Sequence, residues 1–93
     1  MFVLMSVHHP HPEHREALIE SMHRYGGSIA GKPGLVSIHT LADARSERLV
    51  GLAIFESEAA YQALAPIAQA AVVDDPFAEW EQVPIDGLRL TEV

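Results

Sequence analysis

The sequence contains no cysteine, which excludes disulfides, cysteine-held iron–sulfur clusters and thiol catalysis, and says nothing about compartment. Positive charge is scarce: six Lys and Arg stand against thirteen Asp and Glu, a net charge of −7. The six (Arg15, Arg24, Lys32, Arg45, Arg48 and Arg89) are scattered, so a phosphate backbone would be repelled and nucleic acid is not an expected partner. Long hydrophobic runs are missing too. The opening run MFVLMSV ends at Val7, too short for a membrane span and without the basic flank of a signal peptide. No membrane association is expected, and the cytoplasm is the expected location. What is present is a chain of 93 residues, 48% apolar, which excludes disorder and suits a single domain, 1–93.

Residues 2–7 are rich in strand formers and are broken by Pro10 and Pro12. Pro12 fits the first turn of a helix, with Glu13 and Glu16 near its positive end. Leu18, Met22, Tyr25 and Ile29 then recur at helical spacing. Gly26 and Gly27 should weaken the last turns, and Gly31 with Lys32-Pro33-Gly34 should end the helix. Leu35 to Leu41 and Leu49 to Phe55 read as two strands of a hairpin turning through Asp43–Ser46. Ser57 fits as the N-cap of a helix carrying Tyr61 and Leu64, and Pro66 should interrupt that helix or begin a new one. Asp74-Asp75-Pro76 opens a short turn, and Leu88 to Glu92 reads as a last strand. The order predicts an α+β, ferredoxin-like βαββαβ domain with an antiparallel sheet.

Strand alternation divides the sheet residues into two sets. Val3, Met5, Val7, Val36, Ile38, Thr40, Val50, Leu52 and Ile54 are almost all apolar and are expected beneath the helices. Phe2, Leu4, Ser6, His8, Leu35, Ser37, His39, Leu41, Leu49, Gly51, Ala53 and Phe55 form a mixed set expected on the opposite face. Two helices cover one face of a four-stranded sheet. At about 25 cal/mol per Å² of apolar surface, leaving Phe2, Leu4, Leu35, Leu41, Leu49 and Phe55 in water would forfeit several kcal/mol. A homodimer is therefore expected, its sheets facing each other and the mixed faces lining a cavity for a small apolar or aromatic ligand.

Four of six histidines crowd into HHPHPEH, residues 8–14. Zinc needs ligands converging at about 2.0–2.2 Å, but His8 and His9 should point to opposite faces and no HxxxH pair is present, so no metal site is expected. The stretch reads chiefly as a strand-to-helix junction. His8 and His39 belong to the mixed set, and a neutral imidazole there can take a proton from a phenol or enol. The acidic residues Glu56, Glu58, Asp74, Asp75, Glu79 and Glu81 read as a solvated face.

MFVLMSV followed by HPEHREALIESM, then KPGLVSIHTL and LVGLAIFESEAAYQAL, resemble the antibiotic-biosynthesis-monooxygenase-like family of dimeric α/β-barrel proteins over residues 1–64, and only loosely beyond Pro66. The resemblance implies a cofactor-independent monooxygenase acting on a small aromatic or quinone-like substrate, by proton abstraction and reaction with dioxygen. His39 would be the base, His8 and Ser6 would orient the substrate, and Phe2, Leu4, Ser37, Leu41 and Phe55 would wall it in. The haem-degrading branch uses a first-strand asparagine, a tryptophan closing the third strand and a histidine on the second helix. Here those places hold Ser6, Phe55 and the histidine-free stretch Leu64–Ala68, and the chain has no asparagine, so haem degradation is not carried across. The alternative is a non-catalytic small-molecule-binding or structural dimer of the same fold.

Overall fold

In a computed structural model describing residues 1–93, the strand and helix signals resolve into β1 (Phe2–His8), a 3-10 turn (Pro12–His14), α1 (Arg15–Ile29), β2 (Leu35–Ala42) and β3 (Leu49–Phe55), followed by α2 (Glu58–Ala70), the single turn α3 (Phe77–Trp80) and β4 (Asp86–Thr91). The strands form one antiparallel sheet in the order β2-β3-β1-β4. This is the predicted ferredoxin-like arrangement. Gly31 and Gly34, both at positive φ, carry the chain from α1 into β2, as the Gly31–Gly34 stretch predicts. Gly26 and Gly27 remain helical: Gly26 is buried where α1 packs on Ile38, at a distance that would give a Cβ an ordinary contact of 3.5 Å.

Ser57 caps α2 by accepting a hydrogen bond from Ala60 N at 3.1 Å. Pro66 does not interrupt that helix as expected. It lies inside α2 on the exposed side, where the one hydrogen bond it cannot donate leaves a carbonyl facing solvent. At the hairpin, Asp43 accepts from Arg45 N, Ser46 Oγ and Arg48, which holds its carboxyl down at about 2.

The assignment of the two sheet faces is the reverse of the expectation. The core cluster is Phe2, Ile29, Ala53, Phe55, Leu64 and Ala68, so the mixed residues of β1 and β3 are the ones beneath the helices. Tyr61 of α2 stacks on Phe2 at 5.0 Å and meets Phe55 edge-on at 5.5 Å. Val3, Met5, Val7, Val50, Leu52 and Ile54 lie on the face the helices leave bare. Large and small residues together fit the uneven underside of two helices, whereas the uniform set makes a flat layer.

In β2 the parity changes. Leu35 pairs with Phe55 but Ser37 pairs with Ile54, so Val36 bulges out unpaired and 61% exposed. One extra residue turns all that follow to the other side. Ile38 and Thr40 thus join Ala53 and Gly51 under the helices, and Ser37, His39 and Leu41 join the bare face.

Candidate functional site

Between the sheet and α1 the chain forms a cavity of about 680 Å³, open to solvent on one side and within the range of small-molecule sites. Leu4, Ser6 and His8 of β1, Thr40 of β2, and Gly51 and Ala53 of β3 form its floor, and Met22 and Tyr25 of α1 its roof. This cavity lies within a single chain, beneath the helices, and not on the sheet face where a dimer cavity is expected.

His8 ends β1 buried, 6% exposed as a residue, rather than in the solvated position usual at a strand end. Its Nε2 meets Ser6 Oγ at 2.9 Å, and its Nδ1 meets Glu81 Oε2 at 2.5 Å. A carboxylate only accepts, so Nδ1 carries a hydrogen, and in the neutral ring Nε2 then accepts the Ser6 hydroxyl hydrogen. Glu81 Oε1 also accepts the His9 N–H at 2.8 Å. Two donors thus compensate the burial of this acid, 7% exposed. Glu81 was expected on a solvated face, and the structure overturns that.

Glu81 reaches His8 because the segment after α3 zips onto the exit of β1. His11 N donates to Trp80 O at 2.8 Å, Gln82 N to His9 O at 2.7 Å, and the Gln82 side chain to Pro10 O at 2.9 Å. Pro10 and Glu81 form an antiparallel bridge. The crowded HHPHPEH stretch is therefore half of a small two-stranded clamp. His8 enters the cavity, the backbone of His9 holds Glu81, and His11 sits edge-on to His14 at 6.5 Å. His9 Nδ1 is buried without a partner.

Ser6, His8 and Leu4 of the predicted site residues come together here. Phe2 and Phe55 lie in the core cluster. Ser37 and Leu41 lie on the bare face, and Leu41 is 44% exposed. His39 borders the cavity and is exposed, and strand alternation points its ring away from Ile38 and Thr40. It offers the cavity the backbone of the floor.

Three further groups shape the surroundings. Burial, and then the nearby Tyr61, push the Tyr25 hydroxyl above its ordinary pKa, so it stays a neutral hydroxyl on the roof. Ser21 Oγ, also at the cavity, donates to Asp75 at 2.6 Å, and Arg24 adds an ion pair at 3.0 Å. Arg89, opposite Leu4 in β4, donates to the Tyr61 hydroxyl at 3.2 Å and lies 5.7 Å from its ring centroid.

No family model matches the chain, and no curated protein does. Solved structures do. Rv0793 from Mycobacterium tuberculosis has 17% identity and a TM-score of 0.84 over 99% of this chain and 94% of its own. A protein from Nitrosomonas europaea, provisionally named an antibiotic biosynthesis monooxygenase, has 17% identity and a TM-score of 0.80 over 100% and 99%. A conserved protein from Methanosarcina mazei Go1 has 9% identity and a TM-score of 0.85 over 99% and 92%. The chain therefore has the fold of proteins that carry the antibiotic biosynthesis monooxygenase name, over essentially its whole length.

Proposed function

We propose that this protein is a cofactor-independent monooxygenase of the antibiotic-biosynthesis-monooxygenase type, acting on a small aromatic, quinol-like substrate. One observation carries the reading. A largely apolar cavity of about 680 Å³ is lined by a hydroxyl and an imidazole, Ser6 and His8, which are hydrogen-bonded in sequence to the buried Glu81 carboxylate behind them.

Both ring nitrogens of His8 are engaged, so the substrate's acidic C–H or O–H meets Ser6 Oγ first. Its proton passes to Ser6 as the Ser6 hydrogen passes to His8 Nε2, and Glu81 stabilises the imidazolium. The substrate anion gives one electron to dioxygen. The resulting radical and superoxide combine into a peroxide, which takes the proton back from His8. Loss of water then turns a substrate methylene into a carbonyl, so one oxygen atom stays and the other leaves as water. Largely apolar walls surround the anion on the protein side. His8 thus takes the role expected of His39.

The second half of the proposal is a homodimer joined through the bare sheet face.

Oxygen consumption with an anthrone or a dihydroxynaphthalene is the test. His8→Gln should lower it about 10²–10⁴-fold, the usual worth of a general base, and His39→Ala should leave it near the parent rate. Binding of the probe with no oxygen uptake would instead favour a non-catalytic binding protein. Loss of activity in His39→Ala alone would return the base to the other face.

A further inference from the structure

Of the hydroxyl–imidazole–carboxylate chain, Ser6 is the member that lines the cavity with lone pairs not taken by the chain itself. Its hydrogen is committed to His8 Nε2 at 2.9 Å, and His8 Nδ1 is committed to Glu81 at 2.5 Å. A hydroxyl held by a base that is oriented by a buried acid is the arrangement of an activated nucleophile. Space is cleared around that oxygen. Ser6, Gly51 and Thr40 stand in one row across β1, β3 and β2 on the cavity face. A Cβ on Gly51 would lie 2.7 Å from Ser6 Oγ, so the glycine leaves the middle of the row open. With strands about 4.8 Å apart, Ser6 and Thr40 stand two strand spacings apart in the backbone, and Ser6 Oγ leans over Gly51 into the space between them. Thr40 lines the cavity across the row from Ser6, and Gly51 between them carries no side chain to block an acyl group.

We propose that Ser6 is a nucleophile, and that the protein hydrolyses aryl esters of small carboxylic acids through an acyl-Ser6 intermediate. Ser6 Oγ bonds to the ester carbonyl carbon as its proton moves to His8 Nε2. The carbon–aryloxide bond then breaks, and the phenol leaves with that proton. Water, deprotonated by His8, attacks the acyl group, releases the carboxylic acid and restores Ser6. Glu81 is a positioning residue that fixes the His8 tautomer. The apolar walls receive the aryl group, and a phenol is a good enough leaving group to need little help at the carbonyl oxygen. The reaction consumes only an ester and water, so it stands or falls independently of the oxygenase reading.

The test is 4-nitrophenyl acetate on the full chain, followed by nitrophenolate release and by intact and peptide mass spectrometry. A stoichiometric burst is expected, with one acetyl group on the peptide containing Ser6. Ser6→Ala should abolish both. Glu81→Gln should slow acylation by tenfold or more in a protein of unchanged circular dichroism, and Glu81→Asp, which restores the carboxylate, should recover part of the rate. A fluorophosphonate should label Ser6 in the parent and not in Ser6→Ala. A folded parent without an acyl group on Ser6, or equal labelling of Ser6→Ala, would overturn the proposal. Oxygen consumption without acylation would remove this activity and keep the oxygenase, whereas acylation without oxygen consumption would do the reverse.

Discussion

Gly51 and Gly87 flank Ser6 on either side, paired with it from β3 and β4, yet they differ in what a methyl group would meet. At Gly51 a Cβ comes within 2.7 Å of Ser6 Oγ, and only then within 3.5 Å of Met22 Cε, an ordinary contact. At Gly87 nothing lies within 4 Å. Ser6 is short, so its only escape from Gly51→Ala is rotation away from His8, which breaks the 2.9 Å hydrogen bond. Gly51→Ala should therefore lower oxygen consumption and Ser6 acylation together, on the order of 10²-fold, as misplacement of a reacting group does. Gly87→Ala should leave both unchanged. Thermal midpoints measured beside the rates separate this from unfolding, because neither position has a positive φ. The same residue scale explains what sequence reasoning missed. Ser6 and His8 are two apart on a strand, so their shared face was legible. Glu81 stands 73 residues from His8 among other acids, and nothing local in Trp80-Glu81-Gln82 marks it for burial. Only the antiparallel bridge to Pro10 brings it in.

The elements that build the cavity were legible from turn residues and helical spacing; their facing was not. An apolar set and a mixed set alternate along β1 and β3, and counting apolar residues favours the wrong one for the helix side. The bulge at Val36 then moved His39 out of the place that regular alternation would give it, opposite Gly51 and next to Ser6. One tie between elements makes a pH prediction. Asp75, in the segment between α2 and α3, accepts from Ser21 and Arg24 of α1. The Ser21 hydroxyl first, and Arg24 after it, hold its carboxyl below the ordinary value. A carboxyl whose folded pKa is depressed contributes its full stability above the unfolded value, about 3.9, and loses it as pH falls through the folded one. Asp75→Asn should therefore be less stable than the parent near neutral pH, and the gap should close below about pH 4. Urea midpoints at neutral and acid pH measure it. Asp43, also depressed, titrates identically in both proteins and cancels.

At the scale of the whole molecule, the reversed faces strengthen the case for a second copy. The face left bare is the more uniformly apolar one: Val3, Met5, Val7, Val50, Leu52 and Ile54, joined by Leu88 and Leu90 of β4, each of these last two 40% exposed. Every residue of β4 is exposed in the single chain, although β4 is hydrogen-bonded only to β1 and forms a sheet edge. A contiguous layer of this kind is what an isologous sheet-on-sheet contact buries. It is a poor surface for a solitary domain carrying only 20% charged residues. In sedimentation equilibrium the protein should have twice the mass of the 10.2 kDa chain. Leu52→Lys, which places a charge at the centre of this layer, opposite Met5, should return it to the single-chain mass. The dimer and the cavity are separable, because the Ser6–His8–Glu81 chain lies on the opposite side of the sheet and is complete within one protomer. A monomeric Leu52→Lys variant that keeps its circular dichroism should still acylate Ser6. If it sedimented as a dimer, the bare face would not be the contact, and the exposed edge of β4 would be the next surface to mutate.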